Sequence, residues 1–136
     1  MGWYIDLPTT GERVTGIPKK VNNVIFFNTL IPSDTLCNLG TGWLMSLDYL
    51  SGSMADSHRI FDTNNNGEIN DDDAQVGGYQ IGAALGGTTL IQGTSTSDSS
   101  NTGVGVSSLT SGALNTTLIN FGNVMRGRLN WREIVQ

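Results

Sequence analysis

The sequence predicts an all-β fold, and three observations carry that expectation. Only 14% of the residues are charged, against 18 glycines and a large share of Ser, Thr and Asn, a balance that favours turns and strands over long helices. Apolar residues come in short continuous runs or alternate with polar ones, with turn residues between them. The flanks of the chain's acidic segment lack helical periodicity, since Gly77-Gly78 would stop any helix begun at Asp71. A length of 136 residues suits one domain, or part of a larger one, with a modest core.

Taken in order, the first element to test is a repeat. Gly2-Trp3-Tyr4-Ile5-Asp6-Leu7 is echoed by Gly42-Trp43-Leu44-Met45-Ser46-Leu47 at an offset of 40 residues, and each copy precedes a turn, Thr10-Gly11 or Ser51-Gly52. About 40 residues is the period of a propeller blade, whose four-stranded sheet cannot bury both faces alone and stacks on its neighbours. Between the copies, residues 13–20 read as a strand broken at Pro18. Residues 21–31 contain Val24-Ile25-Phe26-Phe27, an uninterrupted apolar run between Asn22-Asn23 and Pro32, as expected of a strand buried on both faces. Residues 33–41 read as a loop and 43–50 as the next strand, which completes one blade and closes like the blades of quinoprotein-type propellers.

Further on, residues 79–83 and 88–92 are expected to be two short strands. Residues 94–112 form a Ser/Thr/Gly/Asn tract with little apolar mass, the composition of a flexible loop. In residues 125–132, Met125, Gly127, Leu129 and Trp131 alternate with Arg126, Arg128, Asn130 and Arg132, the period-two pattern of a half-exposed strand. At about 40 to 45 residues per blade, residues 1–136 amount to two to three blades, the portion of a propeller rather than a closed one.

Charge narrows the function. The net charge is −5, from 12 acidic and 7 basic side chains. Six of the acids, Asp56, Asp62, Glu68, Asp71, Asp72 and Asp73, fall within 18 consecutive residues. Such a cluster suits a hard cation and repels phosphate, so nucleic acid is not an expected partner. Cys37 is the single cysteine and cannot form a disulfide within the chain. The N-terminal residues have no basic and apolar signal pattern, and no run reaches the roughly 18 apolar residues of a transmembrane segment. A C-terminal piece of an exported protein would have left its signal peptide behind.

The segment that carries chemistry is Asp62-Thr63-Asn64-Asn65-Asn66-Gly67-Glu68-Ile69-Asn70-Asp71-Asp72-Asp73. It fits a 12-residue calcium loop, in which oxygens at positions 1, 3, 5, 7, 9 and 12 converge on one ion. These positions hold Asp62, Asn64, Asn66, Glu68 through its main-chain carbonyl, Asn70 and Asp73. Gly67 sits where the backbone turns sharply, and Ile69 is placed to anchor the loop to the core. Asn at positions 3, 5 and 9 supplies oxygen without charge, so the expected dissociation constant is weak, on the order of 10⁻⁴ to 10⁻³ M. This is an EF-hand-like loop without the two helices. A plain Asn66-Gly67 hairpin turn joining residues 59–61 to 68–69 is the competing reading; it leaves the oxygens at Asp62, Asn64 and Asp73 without a purpose.

Enzymatic sites are not expected. His58 is the lone histidine and has no neighbouring Cys or His with which to hold zinc. No Gly-x-Ser-x-Gly elbow occurs, and the glycines at 82–87 lack the lysine of a phosphate loop. Trp3, Trp43 and Trp131 lie in alternating apolar segments, a pattern of core packing rather than of a sugar-stacking platform.

The ordered set "GWYIDLPTTGERV", "VIFFNTLIP", "GTGWLMSLD", "FDTNNNGEIN" and "GRLNWREI" resembles the C-terminal β-propeller of PilY/PilC-type type IV pilus biogenesis proteins, over nearly the whole chain. The resemblance implies a quinoprotein-like propeller with a calcium site on a blade insertion, in an exported protein at pilus tips and the outer-membrane surface. It further implies that calcium there biases pilus extension against retraction, and so twitching motility and adhesion. The implied partners are the rest of the parent propeller, pilus-tip or minor pilins and a host or surface receptor. The matching positions are Asp62, Asn64, Asn66, Glu68 and Asn70, with Asp73 at the end of a loop that can be shorter in the family. A fragment of a quinoprotein dehydrogenase would need a cofactor cradle, and a dockerin-like or carbohydrate-binding module a second calcium loop or an exposed aromatic platform.

Overall fold

The computed structural model describes residues 2–35, 38–93 and 101–122, and every described element is a strand. The first turn sets the first pairing. Asn22 adopts a left-handed φ of 51°, which Asn tolerates better than most residues, and the two-residue turn Asn22-Asn23 folds β1 (Arg13–Val21) back on β2 (Val24–Ile31). Pro18 cannot donate to a ladder, and the β1–β2 register shifts between Thr15 and Lys19, around it. The strand survives as a bulged edge. Gly16, in this bulge, lies so close to the backbone of Gly87 that a Cβ would collide with it.

β3 (Thr41–Asp48) pairs with β2 along its whole length, and β4 (Gly78–Gln80) pairs with β3. The result is a four-stranded antiparallel meander in the order β1-β2-β3-β4. A second meander follows, β5 (Thr89–Gln92), β6 (Thr102–Ser108) and β7 (Leu114–Asn120), in the order β5-β6-β7. Neither sheet closes on itself.

The two sheets share one core. Val24 and Phe26 of β2, Leu44 of β3 and Ile119 of β7 cluster with Ile60, Phe61, Ile81, Ala84 and Phe121. Phe26 and Phe121 meet edge to face at 5.9 Å, a favoured arrangement for aromatic pairs. A buried polar relay runs beside them: Thr88 Oγ1 donates to Asn28 Oδ1 at 2.7 Å and lies 2.6 Å from Ser107 Oγ, while Asn28 Nδ2 donates to the Gly86 carbonyl. These contacts satisfy polar groups that burial would otherwise penalise by about 1–3 kcal/mol each.

Three sequence expectations change. Thr102–Ser108 is a strand within the tract read as a flexible loop. Its inward positions are Gly103, Gly105 and Ser107, small because the opposite residues are large: a Cβ on Gly103 would stand 2.7 Å from the Phe121 ring, and one on Gly105 2.7 Å from Ile119. Residues 2–7 form no strand, whereas their echo at 42–47 lies in β3, so the repeat in sequence is not a repeat in structure. Instead Trp3 Nε1 donates to the Tyr49 carbonyl, and the Trp3 ring covers Gly52. Residues 57–60 are likewise irregular, including 59–60, an arm of the competing hairpin reading, and of residues 57–61 only Phe61 makes a bridge, to Ile119. Cys37, the 94–100 stretch and the alternating segment 125–132 lie outside the described residues. Among the described residues no helix is long and apolar enough to cross a membrane.

Candidate metal loop between β3 and β4

Residues 49–77 connect the third and fourth strands of the first sheet, and the 62–73 segment is the outer part of that connection. Its entry is fixed by packing. Ile60 is 3% exposed and Phe61 is fully buried; the Asn120 amide donates to the Ile60 carbonyl at 2.9 Å. Phe61 bridges Ile119 and lies 5.6 Å from the Tyr79 ring. The chain is thus held to β7 and β4 at the residue before Asp62. Ile69, the residue expected to anchor the loop, is only half-buried and outside the core cluster; Ile60 and Phe61 do that work.

Within the loop, side-chain oxygens fold back on backbone amides. Asp62 Oδ1 accepts from Asn66 N at 3.2 Å and Oδ2 from Gly67 N at 2.8 Å. Asn64 Oδ1 accepts from Asn66 N, Asn66 Oδ1 from Glu68 N and Asn70 Oδ1 from Asp72 N, at 3.0, 2.8 and 2.9 Å. Asn65 and Gly67 take left-handed φ values of 57° and 88°, which keep the turn tight. Tyr79 Oη donates to Asn65 Oδ1 at 2.8 Å, tying the outer turn to β4. Residues 59–61 do not pair with 68–69, so the Asn66-Gly67 pair is not the tip of a hairpin.

Asp73 closes the loop. Its Oδ1 accepts from Thr63 N at 2.7 Å, from Asn64 N at 3.2 Å and from Thr63 Oγ1 at 3.2 Å, and its Oδ2 accepts from Asn70 N at 3.0 Å. Burial pushes its carboxyl pKa up, but the amides of Asn70, Thr63 and Asn64 and the Thr63 hydroxyl outweigh that and hold it below the ordinary value. Arg59 braces the same corner, donating from Nε to the Asp73 carbonyl and pairing with the exposed Asp71 at 2.7 Å.

The donor set is made of hard oxygens, the chemistry calcium takes and soft metals do not. A carboxylate offers about four lone-pair positions and an amide oxygen two. Asp62, Asn64, Asn66 and Asn70 therefore keep free positions, whereas Asp73 Oδ1 is crowded by three donors and only its Oδ2, which accepts one, keeps a position for an ion. Among the described residues no three His, Cys, Asp or Glu side chains converge as a metal-binding group; any ion here would rest on two buried carboxylates and several neutral oxygens. Asp62 is 8% exposed and Asp73 3%. Asp62 also lines an open cleft of about 280 Å³ together with Asn65, Tyr79, Val104, Thr117 and Leu118, which gives solvent a path to the loop.

His58, outside the loop, lies 2.9 Å from Ser57 Oγ through Nδ1 and packs beneath Gly122. Comparison with protein-family models, with curated proteins and with solved structures finds no match.

Proposed function

We propose that this chain is a calcium-binding, non-catalytic surface module, and that its two meanders are neighbouring blades of a propeller like that of PilY/PilC-type pilus biogenesis proteins. Calcium is held by Asp62, Asn64, Asn66, the main-chain carbonyl of Glu68 and Asn70, with Asp73 completing the set. The observation that carries the calcium reading is the concentration of partly free oxygens on one short loop whose two buried carboxylates, Asp62 and Asp73, pair with no basic side chain among the described residues. Bound calcium supplies positive charge that offsets the burial of those carboxylates; it performs no reaction. Calcium would then stabilise the loop by RT ln(1 + [Ca²⁺]/Kd), about 2.7 kcal/mol at a hundred times Kd. The propeller reading is supported by the four-stranded meander with its loop inserted before the last strand. The pilus-associated role, in which calcium biases extension against retraction and attachment, rests on the sequence resemblance alone.

Titration calorimetry of the chain and of Asp62→Ala, with magnesium as the control ion, tests the metal reading. Saturable calcium binding that is lost in Asp62→Ala is expected. Heats no different from magnesium up to several times the about 10⁻³ M expected limit would return the loop to a purely hydrogen-bonded structure.

The outer face of the first sheet yields a second expectation. By register, Ile25 faces Leu47, Phe27 faces Met45 and Thr29 faces Trp43 on that side; Phe27, Thr29 and Leu47 are buried there, Ile25, Trp43 and Met45 are half-buried, and Val14 beside them is 48% exposed. A sheet apolar on both faces stacks on another sheet. The chain on its own is therefore expected to self-associate through the exposed part of this face, and Val14→Ser with Met45→Ser to weaken the association. Sedimentation equilibrium decides; a monomer at all concentrations counts against the neighbouring-blade reading.

A further inference from the structure

We propose that Asn66 is a self-modifying residue: the backbone nitrogen of Gly67 displaces its side-chain amide and turns a neutral oxygen ligand into a carboxylate. The sequence contains a single Asn-Gly pair, and the pair sits at the exposed tip of the 62–73 loop. No side chain crowds the Gly67 peptide from its Cα side, since nothing lies within 4 Å of the point where a Cβ would stand on Gly67. Every other asparagine precedes a residue with a side chain, which shields the corresponding nitrogen. Two hydrogen bonds favour the step at Asn66. Its Oδ1 accepts from Glu68 N at 2.8 Å, which folds the side chain over the Gly67 peptide and polarises Cγ. The Gly67 N–H donates to Asp62 Oδ2 at 2.8 Å, so a buried carboxylate stands at the proton that must leave.

In the first step Gly67 N bonds to Asn66 Cγ. The proton on that nitrogen goes to Asp62, which returns it to solvent, Nδ2 takes a proton from water, the Cγ–Nδ2 bond breaks, and ammonia departs, leaving a five-membered cyclic imide. Water then adds to one of the two imide carbonyls. Opening at Cγ gives aspartate, and opening at the main-chain carbonyl gives isoaspartate, with the backbone rerouted through the side chain. The sum is amide plus water going to carboxylate plus ammonium, with no oxidant or reductant. The chemistry does not depend on the metal reading. Where that reading holds, the aspartate product adds a charged oxygen at the fifth position of the loop and tightens calcium binding, while the isoaspartate product displaces the backbone there and weakens it.

The test is a time course of the purified chain at mildly alkaline pH, followed by peptide mapping with mass spectrometry, with Asn66→Gln and Asp62→Asn alongside and the wild type in urea as the unfolded reference. Conversion is expected at Asn66 alone, at a rate in the folded chain no lower than in urea. Asn66→Gln should show none on the same timescale, because its ring would have six members, and Asp62→Asn should be several-fold slower. A folded chain that converts about tenfold or more slowly than the unfolded one, a barrier raised by about 1.4 kcal/mol, would overturn the proposal, as would conversion spread evenly over other asparagines. An unchanged rate in Asp62→Asn would remove Asp62 from the step.

Discussion

Phe61→Ala is expected to lower the free energy of unfolding by about 3–5 kcal/mol, the usual range for emptying a fully buried aromatic site. Its side chain has no exposed surface and touches both sheets. Its backbone bridges Ile119 of β7, and its ring lies 5.6 Å from Tyr79 of β4 at an angle of 32°. Deletion of the ring therefore leaves a cavity between two sheets, which cannot collapse into it without separating from their own strands. Urea unfolding of Phe61→Ala beside Phe61→Leu measures the effect, and the conservative variant should lose less than half as much. A loss below about 1 kcal/mol in the alanine variant would mean that the two sheets do not depend on a shared core. The same variant should weaken calcium binding, because Asp62 is positioned by the residue before it.

The sheet that was most legible in the sequence is the one whose strands are rich in large apolar residues. Val24-Ile25-Phe26-Phe27 announces β2 because both of its faces are apolar, and Asn22-Asn23 marks its turn by a residue type that accepts positive φ. β6 was illegible for the opposite reason. Its inward face is Gly103, Gly105 and Ser107, and the apolar mass that fills the space belongs to Leu44, Ile119 and Phe121 on other elements. Composition along a single segment cannot register packing supplied by its neighbours, so a Gly/Ser strand reads as a loop. The echo of residues 2–7 in 42–47 misled in a related way, since Trp3 packs on a turn while Trp43 stands in a ladder. For the candidate site, oxygen spacing names Asp62, Asn64, Asn66, Glu68, Asn70 and Asp73 as candidate ligands without regard to the bonds they make within the loop. It could not show that Asp73 spends its lone pairs on the loop's own amides, nor that the anchor is Phe61 rather than Ile69. Those depend on where β7 lies, and no local pattern encodes that.

Asp73→Ala is expected to be the most damaging change within the loop, at roughly 3 kcal/mol, since it leaves the amides of Thr63, Asn64 and Asn70 without their shared acceptor and an unsatisfied buried donor costs about 1–3 kcal/mol. Asp73→Asn separates charge from shape. An amide in its place keeps one oxygen but turns a donor toward another donor, so part of the loss should remain. The pH dependence distinguishes the two contributions. Because the folded carboxyl titrates below its ordinary value, its stabilisation is fully present above the unfolded pKa of about 3.9. It is lost as pH falls through the depressed folded value, where the folded state must take up a proton it binds poorly. Urea unfolding at a series of pH values from neutral down to about 3 should therefore show the wild type losing stability at the acid end and Asp73→Asn losing less over the same window. A residual slope is expected in both, because Asp48, held low by the Ser51 amide and hydroxyl and the Leu50 amide, titrates there as well. Parallel curves for wild type and Asp73→Asn would show that the carboxylate is not what closes the loop, and would free Asp73 for the metal role proposed for Asp62.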